Sequence, residues 1–342
     1  MRQLDVPLSA VAVYVFFVLS GFLITGILTD QREAIEKERT TGASEMLSFY
    51  YRRSLRIFPV YYLTLFACSA WVWATTGESP PGLWSYVVYV SNIWMSVNSS
   101  CDVLLCHFWS LAIEEQFYVF LAPLLIFVPA RRHLAVVLGV FALGTASLFL
   151  APMFGLSSRE QYALSTTNFA LLAAGGVMAL LYRRRPELKV PGFAAAAGSV
   201  VVLAFVVFSA PLRAQSASWF LVLFWTTIVS IALAVAWIVQ HQEAAVVQWL
   251  EWRPIAYLGT VSYGFYLVHP AVIHAYRGLV HWPAAEGLTK GMQAAINALA
   301  CFAITFLISH VSWQFFEKRI LKLRDAPRFG VFRPAAGESR AR

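Results

Sequence analysis

Charge is scarce in this sequence. Asp, Glu, Lys and Arg make up 13% of its 342 residues, against 59% hydrophobic and 15% aromatic. With a mean hydropathy of +0.64, that poverty of charge excludes a soluble globular domain. It points to an all-α fold: a polytopic transmembrane helix bundle, one bundle rather than a string of domains. Cysteine is scarce too. Four residues are too few for a disulfide framework, and their spacing is not that of a zinc site, so no metal is expected. No repeat with a period of roughly 20 to 50 residues is visible. Only Arg2 precedes the first apolar run, which continues as a full span, so no cleavable signal peptide is expected. The formal net charge of +8 does not imply a nucleic-acid partner. The basic residues cluster in short loops between apolar segments, the pattern that sets membrane orientation.

What is present is a series of apolar runs broken by a few loaded helices. The stretch His107 to Val128, HFWSLAIEEQFYVFLAPLLIFV, is long enough to cross a bilayer of roughly 30 Å. Yet it carries His107, Ser110, Glu114, Glu115 and Gln116. Glu115 lies eight residues past His107, about 12 Å deeper along a helix. An acid at such depth faces a cavity or a partner. It is either a structural carboxylate paired with an Arg or Tyr, or a functional group, and the functional reading is preferred. In the first run, YVFFVLSGFLIT, Ser20 and Gly21 form a small patch that admits a close helix or leaves room for a ligand. Arg52, Arg53 and Arg56 stand at the mouth of the next run, and Arg53 and Arg56 share a helix face. A later run, YLGTVSYGFYLVHPAVIHAY, places Ser262, Tyr263, Tyr266 and His269 within eight residues. Pro270 would kink that helix and free a carbonyl near His269.

Charge counting selects a topology. About nine spans are expected, near 8–29, 56–76, 107–128, 134–152, 166–182, 193–210, 217–239, 255–276 and 294–315. If 84–97 does not span, one side holds 21 Lys and Arg and the other five; if it does, the partition is 10 against 16. The positive-inside rule selects the first. Residues 84–97 are then a re-entrant or interfacial segment, the C-terminus is cytoplasmic and the N-terminus outside. The protein is a multi-pass protein of the inner or plasma membrane. Residues 30–55 read as an exposed connection with an amphipathic piece, and 324–342 as a disordered cytoplasmic tail. Cys101 and Cys106 fall in an outer loop, where a bridge and two free thiols are equally compatible with the sequence. Cys68 and Cys301 read as packing residues.

Four passages, FFVLSGFLIT, FYYRRSLRIFP, HFWSLAIEEQFYVF and LGTVSYGFYLVHP, followed by EKRILKL, together resemble the acyltransferase-3 family of integral membrane acyltransferases. They span residues 14–323, and residues 1–323 are read as the membrane acyltransferase-like domain. The resemblance implies transfer of an acyl group, typically acetyl from acetyl-CoA, to a hydroxyl of a carbohydrate or other exported acceptor. Acyl-CoA is then a donor substrate, no bound cofactor is implied, and the partners are the donor, a glycan or glycosylated acceptor and membrane lipids. Carried over by motif, Arg53 and Arg56 are associated with the donor, and the polar helix falls on His107, Ser110 and Glu115. The late signature falls on Ser262, Tyr263 and His269. The resemblance thus implies Glu115, His269 and His107 as catalytic candidates and Arg53, Arg56, Ser110, Ser262 and Tyr263 as substrate-binding ones; Ser20 joins the latter as a polar group in its span. The family normally opens with a further His-bearing helix, absent before His107 here. On that reading the domain is N-terminally incomplete, and by itself would transfer little acetyl while keeping CoA binding. Asn168 also stands where many relatives carry an Arg nearby.

Acyl transfer from a thioester to an alcohol requires a base, a donor to the developing oxyanion and a fixed thioester. A guanidinium pair suits the phosphates of CoA. Neither Ser20 nor Ser110 has a basic neighbour in sequence, so direct transfer is the expectation rather than an acyl-enzyme. A transporter or flippase would also use intramembrane Glu, His and Arg, but should show inverted repeats, and none is visible. A binding remnant without activity is the third alternative.

Overall fold

The computed structural model describes residues 7–98, 100–156, 158–215, 217–279 and 289–325. Among them there is helix and no strand. Nine long helices cover the expected spans, but the second begins at Gly42, inside residues 30–55 expected as an exposed connection, because the apolar and aromatic residues there continue the helix of the span. They are α1 (Pro7–Glu36), α2 (Gly42–Thr76), α5 (Phe108–Phe127), α6 (His133–Leu150), α8 (Ser165–Arg184), α9 (Gly192–Gln215), α10 (Ala217–Gln240), α12 (Arg253–Leu279) and α13 (Lys290–Ser312). Short helices α3 (Leu83–Val87), α4 (Ser91–Asn98), α7 (Ser158–Ala163), α11 (Ala245–Leu250) and α14 (Lys318–Leu321) connect or finish them.

The span count is a correction. Among the described residues seven helices, against the nine expected, are long and apolar enough to cross a membrane. In α9 the apolar stretch among the described residues is Gly192–Phe208, and α12 carries Thr260, Ser262, Tyr263, Tyr266 and His269 along its length. The protein is a multi-pass all-α membrane bundle with that smaller set of plainly apolar spans. Residues 84–97 form two helices of five and eight residues, and neither can cross a bilayer. The proposed tail from 326 onward lies outside the described residues.

The chain divides into two compact units. The first comprises Met1–Gly42, Asn92–Ser99 and Ser110–Leu250, and the second Ala43–Ser91, Ser100–Trp109 and Glu251–Arg342. In the first, α1 lies directly on α8. A Cβ on Gly21 would collide with the Leu172 carbonyl, and one on Gly175 with that of Val18. Only glycines allow two backbones to approach so closely. On the opposite face Phe16, Leu19, Leu23 and Ile27 are exposed at helical spacing, as lipid contact requires. Helix α1 also runs past the expected end of its span, through residues assigned to the connection. Arg32 pairs with Glu36 at 2.9 Å and donates to the Ile126 carbonyl at 3.0 Å, while Glu36 accepts from the Ala130 amide at 2.9 Å. These bonds cap the end of α5 and extend α1 by nearly two turns. Arg183 of α8 reaches Asp30 at 2.5 Å. Asn168, in the first turn of α8, donates to the Tyr162 and Leu164 carbonyls at 2.8 and 2.9 Å. It ties the α7–α8 turn together.

In the second unit α2 is fastened by aromatics. Tyr61 donates to the Tyr86 carbonyl at 2.8 Å and stacks on Tyr89 at 4.2 Å, and Tyr62 donates to Val87 at 2.9 Å. Helix α13 ends in a π-helical turn, Trp313–Glu317, that carries Glu317 into a buried position where Ser312 donates to it at 2.9 Å. Gly264 of α12 leaves the room, since a Cβ there would stand 3.1 Å from the Glu317 carboxylate.

Candidate active site

Pro270 sits inside α12 and has no N–H for the carbonyl four residues back, that of Tyr266. His269 takes the place of the missing donor, with Nδ1 2.7 Å from the Tyr266 oxygen. A carbonyl only accepts, so Nδ1 carries the proton and Nε2 keeps a lone pair. The next carbonyl, Leu267, accepts from His107 Nε2 at 3.1 Å, which leaves Nδ1 of that ring as the acceptor nitrogen. Tyr266 closes the cluster by donating its hydroxyl to the His107 carbonyl at 3.0 Å. The two imidazoles stand 5.3 Å apart, and the Tyr266 ring lies 5.2 Å from one and 5.6 Å from the other. All three side chains belong to the second unit, and all are part-buried. Proline, in short, sets the tautomer of the histidine beside it.

The loop that delivers His107 is stapled. Cys101 and Cys106 form a disulfide, which resolves the alternative left open by the sequence. Inside it the Asp102 carboxylate accepts from the Leu104 amide at 2.8 Å, and the Asp102 carbonyl from Cys106 at 2.8 Å. This fixes the residue just before His107. Replacing both cysteines by serine should lower kcat roughly several-fold through loss of His107 positioning, with little change in donor KM. Equal kcat in the two proteins would show that the bridge is unconnected to the site.

Arg53 and Arg56 lie on one face of α2, Arg53 part-buried and Arg56 exposed. Tyr263 ties α12 to this turn, donating its hydroxyl to the Ile57 carbonyl at 3.0 Å. Its phenol therefore holds two helices together beside Arg56. Ser262 is exposed and donates to Gly259 of its own helix at 2.8 Å, so it stands outside the histidine cluster.

The first unit holds a second polar cluster. Ser20 donates to Glu114 Oε1 at 2.5 Å and meets the Tyr118 hydroxyl at 2.5 Å, and Tyr118 donates to the same Glu114 oxygen. The sequence reading favoured Glu115 and gave Glu114 and Tyr118 no role. Glu115, one residue on, is part-buried on another side of α5, and Ser110 is buried in the first turns. Gln116 enters a closed ring. It donates to Asn92 at 2.8 Å, Asn92 to Ser165 at 2.8 Å, and Ser165 back to Gln116 at 2.6 Å. A part-buried network with its donors and acceptors matched in this way fixes the rotation of α5 and hence the directions of both glutamates.

The family resemblance carried by the motifs agrees with comparison to known proteins. The profile of the acyltransferase-3 family, an acyltransferase domain, matches residues 2–314. The chain is 29% identical over 343 aligned positions to the putative peptidoglycan O-acetyltransferase YrhL of Bacillus subtilis, covering 91% of this chain and 50% of that protein. It is 28% identical over 336 positions to the peptidoglycan O-acetyltransferase OatA of Listeria monocytogenes, covering 91% and 51%. With the O-acetyltransferase OatA of Staphylococcus aureus the identity is 25% over 340 positions, covering 90% and 52%. The chain thus spans about half the length of these curated relatives. No solved structure matches it. The family profile covers nearly the whole chain, and on that ground the protein belongs to the acyltransferase-3 family of membrane acyltransferases.

Proposed function

We propose that the protein is a membrane-bound O-acyltransferase that moves an acetyl group from acyl-CoA to a hydroxyl of an exported glycan. The observation that carries this reading is the fixed tautomer of His269, whose Nε2 lone pair is left by the Nδ1–Tyr266 bond. A neutral imidazole held in one tautomer is suited to take the proton of an attacking alcohol. The acceptor class follows from the relatives, whose names specify peptidoglycan O-acetylation.

For the donor, CoA is polyanionic and its thioester ends a long flexible arm. Arg53 and Arg56 on α2, linked to α12 through Tyr263 and Ile57, are the phosphate anchor in this reading. The clustering of basic residues in these loops supports a cytoplasmic side for them and for the C-terminus. A donor entering from inside then serves an acceptor outside.

Membrane vesicles bearing the intact protein, given acetyl-CoA and peptidoglycan fragments, test the reading through the base-labile O-acetyl formed. Arg56→Lys should raise donor KM roughly tenfold with acceptor KM unchanged, because an ammonium cannot reproduce the guanidinium fork. An unchanged donor KM would remove the anchor role. If acetyl-CoA yields no O-acetyl product in the wild-type protein, the donor assignment fails.

A further inference from the structure

We infer that Ser20 is a nucleophile that carries the acyl group as a serine ester between donor and acceptor. The inference rests on the reading above for a thioester donor and a hydroxyl acceptor. It replaces the direct transfer expected from the sequence. In sequence Ser20 has no base beside it. Folding supplies one 94 residues away, since Ser20 Oγ donates to Glu114 Oε1 at 2.5 Å. A nucleophile within hydrogen-bond reach of a base, itself oriented by a third group, is the signature of an activated nucleophile. The third group here is Tyr118, whose hydroxyl donates to Glu114 and stands 2.5 Å from Ser20 Oγ.

The surroundings are rigid where the chemistry needs rigidity. Gly21, next to Ser20, sits against the Leu172 carbonyl, and Gly175 against that of Val18, so the turn of α1 bearing Ser20 is locked on α8. Glu114 and Tyr118 are one turn apart on α5, whose rotation is held by the Asn92–Ser165–Gln116 ring. Ser20 is 8% exposed, Glu114 5% and Tyr118 1%, so the cluster is screened from water. Screening strengthens the bond to the carboxylate and protects an ester from hydrolysis. Hydroxyls that served only to join α1 to α5 would satisfy the same carboxylate. The two roles separate experimentally.

In the first half-reaction Ser20 Oγ bonds to the acyl carbon and the carbon–sulfur bond breaks. The Oγ proton passes to Glu114 and from it to the departing sulfur, releasing CoA as the thiol. As Glu114 takes up the proton it no longer needs the Tyr118 donor, and the Tyr118 O–H turns from that carboxylate to the developing oxyanion. In the second half the acceptor oxygen bonds to the acyl carbon and the Oγ–carbon bond breaks. Glu114 takes the acceptor's proton and returns it to Oγ, so atoms and charge balance over the cycle.

An acyl-enzyme permits isotope exchange between free CoA and acetyl-CoA with no acceptor present. Direct transfer does not. Vesicles bearing the intact protein, incubated with acetyl-CoA and radiolabelled CoA, should build label into acetyl-CoA, and peptide mass spectrometry of quenched protein should find an acetyl group on Ser20. Ser20→Ala, which removes one oxygen from a tightly packed site, should lose both exchange and O-acetyl transfer by at least about 100-fold. Ser20→Cys should keep exchange, with an adduct labile to neutral hydroxylamine as a thioester is. Transfer to the acceptor without exchange, or a Ser20→Ala protein that transfers at the wild-type rate, overturns the inference and leaves the donor and acceptor reading standing. A wild-type protein that shows neither exchange nor transfer overturns both.

Discussion

His269→Asn is expected to lower kcat about 100- to 10,000-fold, the range supplied by a positioned general base, while leaving donor KM near the wild-type value. Asparagine is the informative choice. Its side-chain amide can donate to the Tyr266 carbonyl much as Nδ1 does, so α12 keeps its hydrogen bond beside Pro270. What is lost is the Nε2 lone pair. A large fall in kcat with an unchanged Arg53 and Arg56 donor response therefore reports the base and not the fold. Pro270→Ala makes the complementary test, since it restores an N–H for Tyr266 and competes with His269 for the same oxygen. That variant should be better folded and slower, by roughly tenfold in kcat, because the imidazole is no longer held in one tautomer. Steady-state kinetics on both variants, with donor and acceptor varied separately, decides the matter. If His269→Asn turns over like the wild type, the proton goes elsewhere and the histidine pair is structural.

Part of this site was legible because it is local. The carbonyl freed by Pro270 is a consequence of backbone chemistry within five residues, and the sequence alone places it beside His269. The identity of the carbonyl's new partner is equally local. That His107 takes the adjacent carbonyl of Leu267 is not, because the two lie 160 residues apart. The neighbouring glutamates show the limit more sharply. Glu114 and Glu115 are consecutive and chemically equal, so about 100° of helix rotation decides which meets Ser20. That rotation is set by a ring of Asn92, Ser165 and Gln116, three residues from three helices. No periodicity within α5 could disclose it. A faint signal existed in Tyr118, one turn after Glu114, since a buried phenol at that spacing can reach an acid.

The fold was legible through composition, and its departures have physical causes. Apolar runs gave the positions of the nine long helices, because lipid forces backbone groups to bond within a segment. Counting spans by hydropathy is less secure where a helix carries chemistry, and α12 is polar for the reason that it bears the site. The expected end of the first span came too early for a different cause. Residues 30–36 look like a loop when judged by charge, yet Arg32–Glu36, Glu36–Ala130 and Arg183–Asp30 pair them across helices. The π-turn that buries Glu317 leaves no signature in sequence, since the extra residue it accommodates is a feature of hydrogen bonding alone.

Gly21→Ala and Gly175→Ala should be the most damaging single-methyl changes in the first unit. Each added Cβ would stand inside the van der Waals contact of a backbone carbonyl, Leu172 for Gly21 and Val18 for Gly175. A backbone cannot rotate aside as a side chain can, so α1 and α8 must separate. Separation opens the packing around Phe17, Val18, Leu172 and Ala173, all 0% exposed. By order of magnitude, overpacking plus lost contact costs about 3–5 kcal/mol at such a site, enough to remove most of the stability of a membrane bundle in detergent. Because both glycines serve one interface, the double variant should cost less than the sum of the singles. Gly26 and Gly139 provide the control. Nothing lies within 4 Å of a Cβ at either position, and alanine there should be neutral or stabilise by up to about 1 kcal/mol through helix propensity. Thermal unfolding in detergent, followed by the fraction of monodisperse protein, reads all four. The same displacement would draw Ser20 away from Glu114, so any Gly21→Ala protein that does fold should lose the exchange of CoA with acetyl-CoA along with its transfer activity. Equal stability of Gly21→Ala and Gly26→Ala would mean that α1 does not lie on α8 as described.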